Sequence, residues 1–303
     1  MAVNKDPILK RCRSLEIDPS HLGIYKTSKR TPNRRRGKMS QYGLQLREKQ
    51  RAKYWDAPWN PMVGCEPVSP ACENCYARTA MEGRFRQTFE PHATMHGLRG
   101  LPRKGVVFCG NMTDVFGKWN SQDLVEETLQ TVVDKGSPDA TYLWLTKRPW
   151  RMADAVVRCG YAFDIHYAEG YIAFPRNQYF GITAENQEWY DRRVAELADG
   201  FGGPKPAWMN LWLSVEPLLG PIDLMSGGAL HWFSWVVVGC ESGPDRRKCG
   251  MGWVESVVAQ CQRARVPVFV KQLDMNGRCE TDINKFPAHL RIRQVPWAKK
   301  GEE

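Results

Sequence analysis

Short apolar segments alternate with helical patterns over most of the chain from residue 55 onward. Six of these segments have the composition of buried strands: Val106–Gly110, Tyr142–Leu145, Tyr179–Ile182, Leu211–Leu213, Trp235–Gly239 and Val266–Val270. Helical patterns are predicted at Ser121–Lys135, Gln187–Asp199 and Trp253–Arg263. Near-continuous apolar strands separated by helices indicate a parallel sheet that is buried on both faces. We therefore predict an α/β fold, a complete or partial parallel (β/α) barrel, with a possible seventh strand just before residue 60 and an insertion at Cys159–Asn177.

Polar residues follow each of the six predicted strands. In a parallel barrel the carboxyl ends of the strands converge on one mouth, so we expect these side chains to face a common pocket. The residues concerned are Asn111, Asp114, Lys147, Arg148, Thr183, Glu185, Ser214, Glu216, Glu241, Ser242, Lys271 and Gln272.

Three cysteines lie in a loop rich in Pro, Ser, Asn and Gly that precedes the first long strand. Cys65, Cys72 and Cys75 have the spacing C-x6-C-x2-C, and thiolates are soft ligands suited to zinc or iron–sulfur clusters. A structural zinc site needs a fourth close ligand, and the next candidates along the chain are His92, His96 and Cys109. Three ligands and one vacancy fit a 4Fe–4S cluster with one iron left free. Zinc and incidental thiols remain the alternatives.

Composition indicates a globular protein of 303 residues, 42% of them hydrophobic, which is enough for one large core or two smaller ones. Ten cysteines in a chain of this length do not form a dense disulfide framework, and no secretory leader is recognisable. The longest apolar runs are far shorter than a membrane span. We therefore expect a cytoplasmic protein without a membrane partner.

The positive charge is concentrated at the start of the chain. Residues 1–53 have 15 Lys and Arg against 4 Asp and Glu, whereas the rest of the chain has 28 against 29. We expect this basic arm to be largely extended and to provide any attraction to nucleic acid. Its candidate nucleic-acid-binding residues are Arg34, Arg35, Arg36, Lys38, Arg47 and Lys49. The predicted division is an arm over 1–53, a barrel domain over 54–285 and a charged tail over 286–303.

The arm resembles a known RNA-binding segment. Leu9–Leu15 and Met39–Lys53 are similar to the N-terminal arm of bacterial small-subunit ribosomal protein S4. The resemblance implies binding of 16S ribosomal RNA. The alternative is a fused remnant that has lost this function, because the rest of the S4 RNA-binding body is not found here.

The cysteine loop at the end of the first barrel strand resembles that of radical S-adenosylmethionine enzymes. In that family a three-cysteine cluster binds the methionine moiety of the cofactor and cleaves it reductively to a 5′-deoxyadenosyl radical, using an external electron donor. The usual spacing there is C-x3-C-x2-C with an aromatic residue before the last cysteine. This chain has six residues in the first interval, Asn74 before Cys75, and Tyr76 after it.

A closer resemblance covers about residues 54–273. The matching pieces are Trp59-Asn60-Pro61, Gly64-Cys65, Val68-Ser69-Pro70, Cys72, Asn74–Ala77, Leu145–Pro149, Leu213–Ile222, Val238–Pro244 and Lys271-Gln272. They are similar to the "three-Cys-motif" family encoded by phages and mobile elements, which has no firmly assigned reaction and is regarded as radical-SAM-like. Cys240 stands where that family usually has Gly, and it either crowds the mouth or adds a ligand.

The resemblance implies roles for the residues of the mouth. Cys65, Cys72 and Cys75 would hold the cluster, Glu216 or Glu241 the methionine ammonium, and Lys147, Arg148 or Lys271 its carboxylate. Trp55, Trp59 or Tyr76 would cover the adenine. The catalytic candidates are Glu216, Lys147 and Lys271, and the cofactor-binding candidates are Tyr76, Asn111, Asp114, Arg148, Ser214, Glu241 and Ser242.

We thus predict a radical-SAM-like iron–sulfur enzyme that modifies a nucleic acid or nucleotide. One alternative is a non-catalytic, ribosome-associated RNA-binding protein that acts through the arm, and another is a zinc-stabilised barrel. The remaining cysteines indicate no second cluster. Cys109 and Cys240 lie on or beside apolar strands, where free cysteine behaves as a small buried hydrophobe, and Cys249, Cys261 and Cys279 are widely spaced.

Overall fold

The structure is a computed structural model and describes residues 52–168, 176–203 and 205–297. The predicted extended conformation of the basic arm, with its six candidate nucleic-acid-binding residues, falls outside these ranges. Residues 298–303 of the predicted tail do so as well. No helix in the described ranges is long and apolar enough to cross a membrane.

An eight-stranded sheet forms the centre of the fold. Its strands, in spatial order, are β1 (Ala57–Trp59), β4 (Gly105–Cys109), β5 (Ala140–Thr146), β6 (Gln178–Thr183), β7 (Asn210–Val215), β8 (Phe233–Gly239), β9 (Val268–Met275) and β10 (Arg278–Glu280). All neighbours are parallel except β9 and β10, which form an antiparallel hairpin. The six predicted strands are confirmed, and β1 is the seventh. Within the described ranges no pairing of β1 with β10 closes the sheet, so the barrel is partial.

Five α-helices accompany the sheet in the described ranges: α1 (Tyr76–Thr79), α2 (Gln122–Lys135), α3 (Pro149–Ala168), α4 (Gln187–Phe201) and α5 (Met251–Ala264). Side-chain caps begin two of them, since Ser121 Oγ accepts from Leu124 N in α2 and Asn186 Oδ1 accepts from Trp189 N in α4. The first part of the insertion predicted at Cys159–Asn177 is helical, because α3 continues to Ala168.

The two faces of the sheet bury different sets of side chains. A large cluster of aliphatic and aromatic side chains, with the helices, covers the outer face, where Val107 and Cys109 point. The inner face holds an aromatic cluster that includes Phe108, Trp235 and Phe269. The Tyr54 ring lies 6.4 Å from Phe108 on β4 and 5.7 Å from Phe269 on β9, measured between centroids. One ring contacts strands that are five positions apart in the sheet, so the sheet curves around its inner face.

A glycine makes room for this aromatic interior. A Cβ at Gly181 would lie 2.4 Å from the Trp212 indole, whose Nε1 donates to the Trp144 carbonyl oxygen at 3.0 Å. The indole therefore fills the space beside Gly181 and closes the interior below the mouth. The polar residues at the carboxyl ends of the strands lie above this layer.

Candidate functional site

The cysteine loop begins directly after β1 and returns to the sheet through a small hairpin, β2 (Met62–Val63) with β3 (His92–Ala93). Gly64 has a φ of +88°, and a Cβ there would lie 2.2 Å from the Glu90 carbonyl oxygen. Only glycine fits this position, which turns the chain into Cys65.

The other two cysteines stand at the ends of short helical turns. Cys72 ends the 3₁₀ turn Pro70–Cys72, and its backbone N donates to the Ser69 carbonyl at 2.9 Å. Cys75 immediately precedes α1, and its carbonyl accepts from Thr79 Oγ1 at 3.1 Å. Local hydrogen bonds thus fix both flanks of the loop.

The three thiols and several strand ends line one open cleft with a cavity volume of about 120 Å³. This volume is below the range of about 300–1,000 Å³ that is typical of enclosed small-molecule sites. The candidate residues that line it are Cys65, Cys72, Cys75, Tyr76, Asn111, Asp114, Lys147, Arg148 and Thr183. Residues up to 118 positions apart in the sequence therefore lie together at the mouth of the partial barrel.

The cysteine loop is tied to the end of β4 through two asparagines and a tyrosine. Asn60 Nδ2 donates to Asn111 Oδ1 at 2.8 Å, and the Tyr76 hydroxyl donates to the Asn111 carbonyl at 2.5 Å. The Tyr76 side chain is 56% exposed and lines the cleft, so its ring is accessible to a planar ligand. Trp59 is not accessible: it is buried against Trp144 in the outer core, because β1 directs it away from the mouth.

Asp114 is the hydrogen-bonding centre of the cleft wall. Its carboxylate is buried and accepts from Thr146 Oγ1 (2.7 Å), Phe116 N (3.1 Å), Lys147 N (3.1 Å) and Arg148 Nη1 (2.8 Å). Four donors use essentially the whole acceptor capacity of a carboxylate. Asp114 therefore holds the ends of β4 and β5 together, and little of it remains for a ligand.

Arg148 connects this wall to the cysteine loop. It donates to Asp114 and, through Nη2, to the Glu66 carbonyl at 3.0 Å, and its guanidinium lies 4.5 Å from the centre of the Trp119 ring. Burial raises the pKa of the neighbouring Cys65 thiol to about 12, the Asp114 charge adds to this, and Arg148 opposes it. A bound cation would supply the positive charge that a buried thiolate requires.

The cleft lining contains three cysteines and no histidine. The cleft lining includes none of His92, His96 and Cys109; both histidines are exposed, and Cys109 is buried in the outer core. In the described part of the chain, no group of three or more Cys, His, Asp or Glu side chains is arranged to hold a metal ion. A single tetrahedral ion with bonds of about 2.3 Å needs its sulfurs within about 3.8 Å of one another. A cluster places its own atoms between the thiolates and needs them farther apart.

Thr183 contributes an unsatisfied polar group to the same cleft. Its hydroxyl oxygen is fully buried and has no hydrogen-bond partner in the structure, although the residue lines the cleft. Buried polar atoms are normally hydrogen-bonded, so an unpaired one in a cleft is a candidate ligand contact.

Glu241, at the end of β8, belongs to a separate cluster that we call the Arg247 clasp, formed by Glu73, Asn74, Glu241 and Arg247. Arg247 donates to the Glu241 carboxylate from Nη2 at 2.6 Å and from Nε at 3.0 Å, and Asn74 Nδ2 donates to it at 3.0 Å. Burial opposes ionisation of Glu241, but these hydrogen bonds outweigh it and lower the pKa of the carboxyl. The Glu241 carboxylate thus accepts its hydrogen bonds from donors of the protein itself.

The Arg247 clasp holds the segment between two of the candidate ligands. Arg247 Nη1 donates to Glu73 at 2.9 Å and Nη2 to the Pro70 carbonyl at 2.9 Å, so one guanidinium joins the loop after β8 to the Cys72–Cys75 segment. Sequence reasoning missed Arg247, because an arginine in a polar loop after a strand gives no sign of partners that lie 174 and 177 residues away.

The remaining candidates lie outside the cleft lining. Lys271 Nζ is 3.2 Å from Glu216 Oε1, and both face Tyr54, whose pKa is raised by burial and then by the Glu216 charge. Ser214 is buried within β7, and Ser242 is exposed on the loop after β8. These four form no single arrangement with the thiols.

The expectation that Glu185 and Gln272 face the pocket is wrong. Glu185 is fully buried in an ion pair with Arg193 of α4 at 2.5 Å, and Arg193 also donates to the Thr183 carbonyl at 2.8 Å. Gln272 is buried and donates to the Cys240 carbonyl at 2.6 Å. In both cases the charged or amide group is buried and hydrogen-bonded or ion-paired within the protein.

Arg247→Ala tests whether the Arg247 clasp orders the cysteine loop. The substitution leaves the buried Glu241 without its main donors, and we expect the free energy of unfolding to fall by about 2 kcal/mol in urea titrations. We also expect Cys72 and Cys75 to be alkylated faster by iodoacetamide in the native protein.

Arg192→Ala is the matched control, because Arg192 forms an exposed pair with Glu196 one turn away on α4. Exposed pairs contribute about 0–1 kcal/mol, so its stability and alkylation rates should stay close to those of the parent protein. Equal effects of the two substitutions would contradict the role of the clasp.

Comparison with curated proteins finds similarity to ribosomal proteins. The chain is 61% identical over 54 residues to small ribosomal subunit protein uS4 of Lachnospira eligens and 63% identical over 54 residues to that of Agathobacter rectalis. Each match covers 18% of this chain and 27% of the relative. The uS4 of Fusobacterium nucleatum is 37% identical over 103 residues, which is 33% of this chain and 41% of the relative. The chain thus spans well under half the length of these relatives.

Comparison with solved structures finds spore photoproduct lyase. A variant with bound AdoMet and a dinucleoside spore photoproduct matches with a TM-score of 0.37 and 12% identity, covering 68% of this chain and 49% of that one. A complex with the dinucleoside spore photoproduct matches with a TM-score of 0.38 and 12% identity, covering 67% and 60%.

A family model described as "Protein of unknown function (DUF5131)" matches residues 49–290, which include the whole sheet and the cleft. The chain belongs to this family.

Proposed function

We propose that the protein is a radical-SAM-like iron–sulfur enzyme that acts on a nucleic acid or nucleotide. The observation that carries the proposal is the cleft itself: three cysteine thiols and the polar ends of β4 to β6 line one cavity, and no fourth Cys or His is among its lining residues. The resemblance to the phage-encoded three-Cys-motif family supports the same reading. The proposed division into an arm over 1–53, a barrel domain over 54–285 and a tail over 286–303 accompanies it.

Cys65, Cys72 and Cys75 would hold three irons of a 4Fe–4S cluster. When bound, a cluster of this kind with one open iron would supply an electron to S-adenosylmethionine. An external donor would then reduce the cluster again. The protein's part is to fix the thiols, which it does through the Gly64 turn, the Pro70–Cys72 turn and the Arg247 clasp.

Different side chains of the cleft are proposed to bind different groups of the cofactor. Within the described part of the chain Lys147 forms no ion pair, whereas Arg148 is committed to Asp114 and Lys271 to Glu216. Lys147 is therefore the proposed partner of the methionine carboxylate. The Thr183 hydroxyl is the proposed hydrogen-bonding group for a second polar atom, and the exposed Tyr76 ring the proposed surface for the adenine.

Glu216 and Lys271, which lie outside the cleft lining, are the proposed catalytic pair. Their ion pair is partly buried beside Tyr54, where a carboxylate and an ammonium can exchange a proton with a bound substrate. A Cβ at Gly239 would lie 3.0 Å from Glu216 Oε1, so the glycine keeps this side of the carboxylate uncrowded.

Anaerobic purification of the full chain, with iron and sulfide analysis and an absorption spectrum, tests the proposal. We expect about four irons and four sulfides per chain and a broad absorbance near 400 nm, as is typical of 4Fe–4S proteins. Combined substitution of Cys65→Ala, Cys72→Ala and Cys75→Ala should abolish both.

The matched control replaces two cysteines outside the cleft, Cys159→Ala and Cys261→Ala, and should keep iron and colour. A colourless parent protein after careful reconstitution would rule out the proposal, and one zinc per chain in its place would support the zinc-stabilised barrel.

A second candidate function is RNA binding by the basic arm. The observation that favours it is the match of 54 residues to ribosomal protein uS4 at 61–63% identity. The uS4 proteins are ribosomal by name, and we propose that this chain retains an affinity for ribosomal RNA independent of the three cysteines.

Neutralising the arm with Arg34→Gln, Arg35→Gln, Arg36→Gln and Lys38→Gln tests this function. Each lost phosphate contact should reduce the slope of log affinity against log salt by about 0.7–0.9, so four contacts reduce it by about 3. Filter binding of a 16S ribosomal RNA fragment at several salt concentrations measures the slope.

Substitution of the exposed Arg192 and Arg263 by Gln in the barrel domain is the control and should leave the slope unchanged. An unchanged slope in the arm variant, or no binding by the parent chain, would contradict the function.

A further inference from the structure

Two cysteines that sequence reasoning took as unrelated lie in contact outside the cleft. Cys240 directly follows β8 and is buried, and Cys279 lies in β10 and is half-buried. The Cys240 thiol is directed at Cys279 Sγ, with the two sulfurs 3.7 Å apart. The residues are 39 positions apart in sequence, so only the fold joins them.

We propose that Cys240 and Cys279 form a redox-active dithiol that small disulfide compounds oxidise to an intramolecular disulfide. The activity is independent of the proposed iron–sulfur chemistry, because neither residue lines the cleft of the three thiols.

The surroundings give the two thiols different roles. The hydrogen bond from Cys240 lowers the pKa of the Cys279 thiol, and the positive charges of Arg246 and Lys271 lower it further against the effect of burial. The same hydrogen bond and burial raise the pKa of Cys240. Cys279 is thus the more exposed and more readily ionised sulfur, which are the properties of an attacking thiol.

An ion pair with Asp274 fixes the position of Arg246, whose charge favours ionisation of Cys279. Its Nη1 lies 2.9 Å from Asp274, which is the residue opposite Cys279 in the β9–β10 ladder. Asp274 also accepts from the backbone N of Cys249 at 3.1 Å, so the loop before α5 is fixed by the same carboxylate. Burial raises the pKa of the Cys249 thiol to about 12, which makes Cys249 the less reactive neighbour.

The reaction is a pair of thiol–disulfide exchanges. The Cys279 thiolate attacks one sulfur of oxidised glutathione, forms a mixed disulfide and releases one glutathione thiolate, which takes the proton of Cys240. The Cys240 sulfur then attacks Cys279 Sγ and releases the second glutathione. Two protein thiols lose two electrons, one small disulfide gains them, and two small thiols leave.

The sulfurs need to approach from 3.7 Å to about 2.05 Å to form the bond. Cys279 is on the side that can move, because β10 has three residues and, among the described strands, pairs with β9 alone. Two hydrogen bonds with Gln272 fix the backbone of Cys240. Its N donates to the Gln272 carbonyl, and its carbonyl accepts from Gln272 Nε2.

The test treats the full chain with oxidised glutathione near neutral pH, blocks the remaining thiols with iodoacetamide, and maps the peptides by mass spectrometry. The variant lacking Cys65, Cys72 and Cys75 is mapped in parallel, so that loss of the proposed cluster does not affect the result. We expect a peptide pair linked through Cys240 and Cys279 in both proteins.

Substitutions separate the two roles. Cys240→Ser should leave one glutathione attached to Cys279, Cys279→Ser should remove both link and adduct, and Cys261→Ser should change neither. Arg246→Gln should slow the alkylation of Cys279 by about three- to tenfold.

A link from Cys279 to Cys249, or reaction of Cys279 without any link, would overturn the proposal. If Cys240→Ser does not fold, the peptide map of the parent chain decides the question by itself.

Discussion

The carboxylate of Asp114 is the interaction on which the candidate site depends. It joins the end of β4 to the end of β5 through three donors, and one of these, Arg148, also donates to the carbonyl of Glu66 beside Cys65. Removing a buried carboxylate of this kind leaves the Arg148 guanidinium without its ion-pair partner, which costs about 3–5 kcal/mol. The sheet therefore sets the position of the cysteine loop, and the short turns of the loop fix its flanks.

A second connection reaches the same loop from the far side of the mouth. Arg247 joins Glu241 after β8 to Pro70 and Glu73, so the cysteine loop is held both by the ends of β4 and β5 and by the loop after β8. The aromatic layer, which includes Tyr54, Trp235 and Phe269, fills the interior of the curved sheet. This arrangement concentrates polar chemistry at the carboxyl ends of the strands, as in other parallel barrels.

The sequence was sufficient to predict the sheet and the location of the cleft, because buried parallel strands are continuous apolar runs and their carboxyl ends meet at one edge. It did not distinguish residues that are available to a cofactor from residues that hold the site together. Asp114 and Glu241 have the residue type of cofactor ligands, but their acceptor capacity is used by Arg148 and Arg247, and such long-range pairing leaves no local pattern. Glu185 was misplaced for the same reason, since its partner Arg193 lies on the following helix. The contact of Cys240 with Cys279 depends on the short strand β10, which has no apolar run to mark it.

The central claim is that Cys65, Cys72 and Cys75 hold a 4Fe–4S cluster whose open iron binds S-adenosylmethionine. Electron paramagnetic resonance of the anaerobically reconstituted and chemically reduced full chain tests it most directly, with spectra recorded before and after S-adenosylmethionine is added. The account predicts the signal of a reduced cluster and a change in its shape when the cofactor is added. A cluster signal that the cofactor leaves unchanged, or no cluster signal at all, would contradict the account.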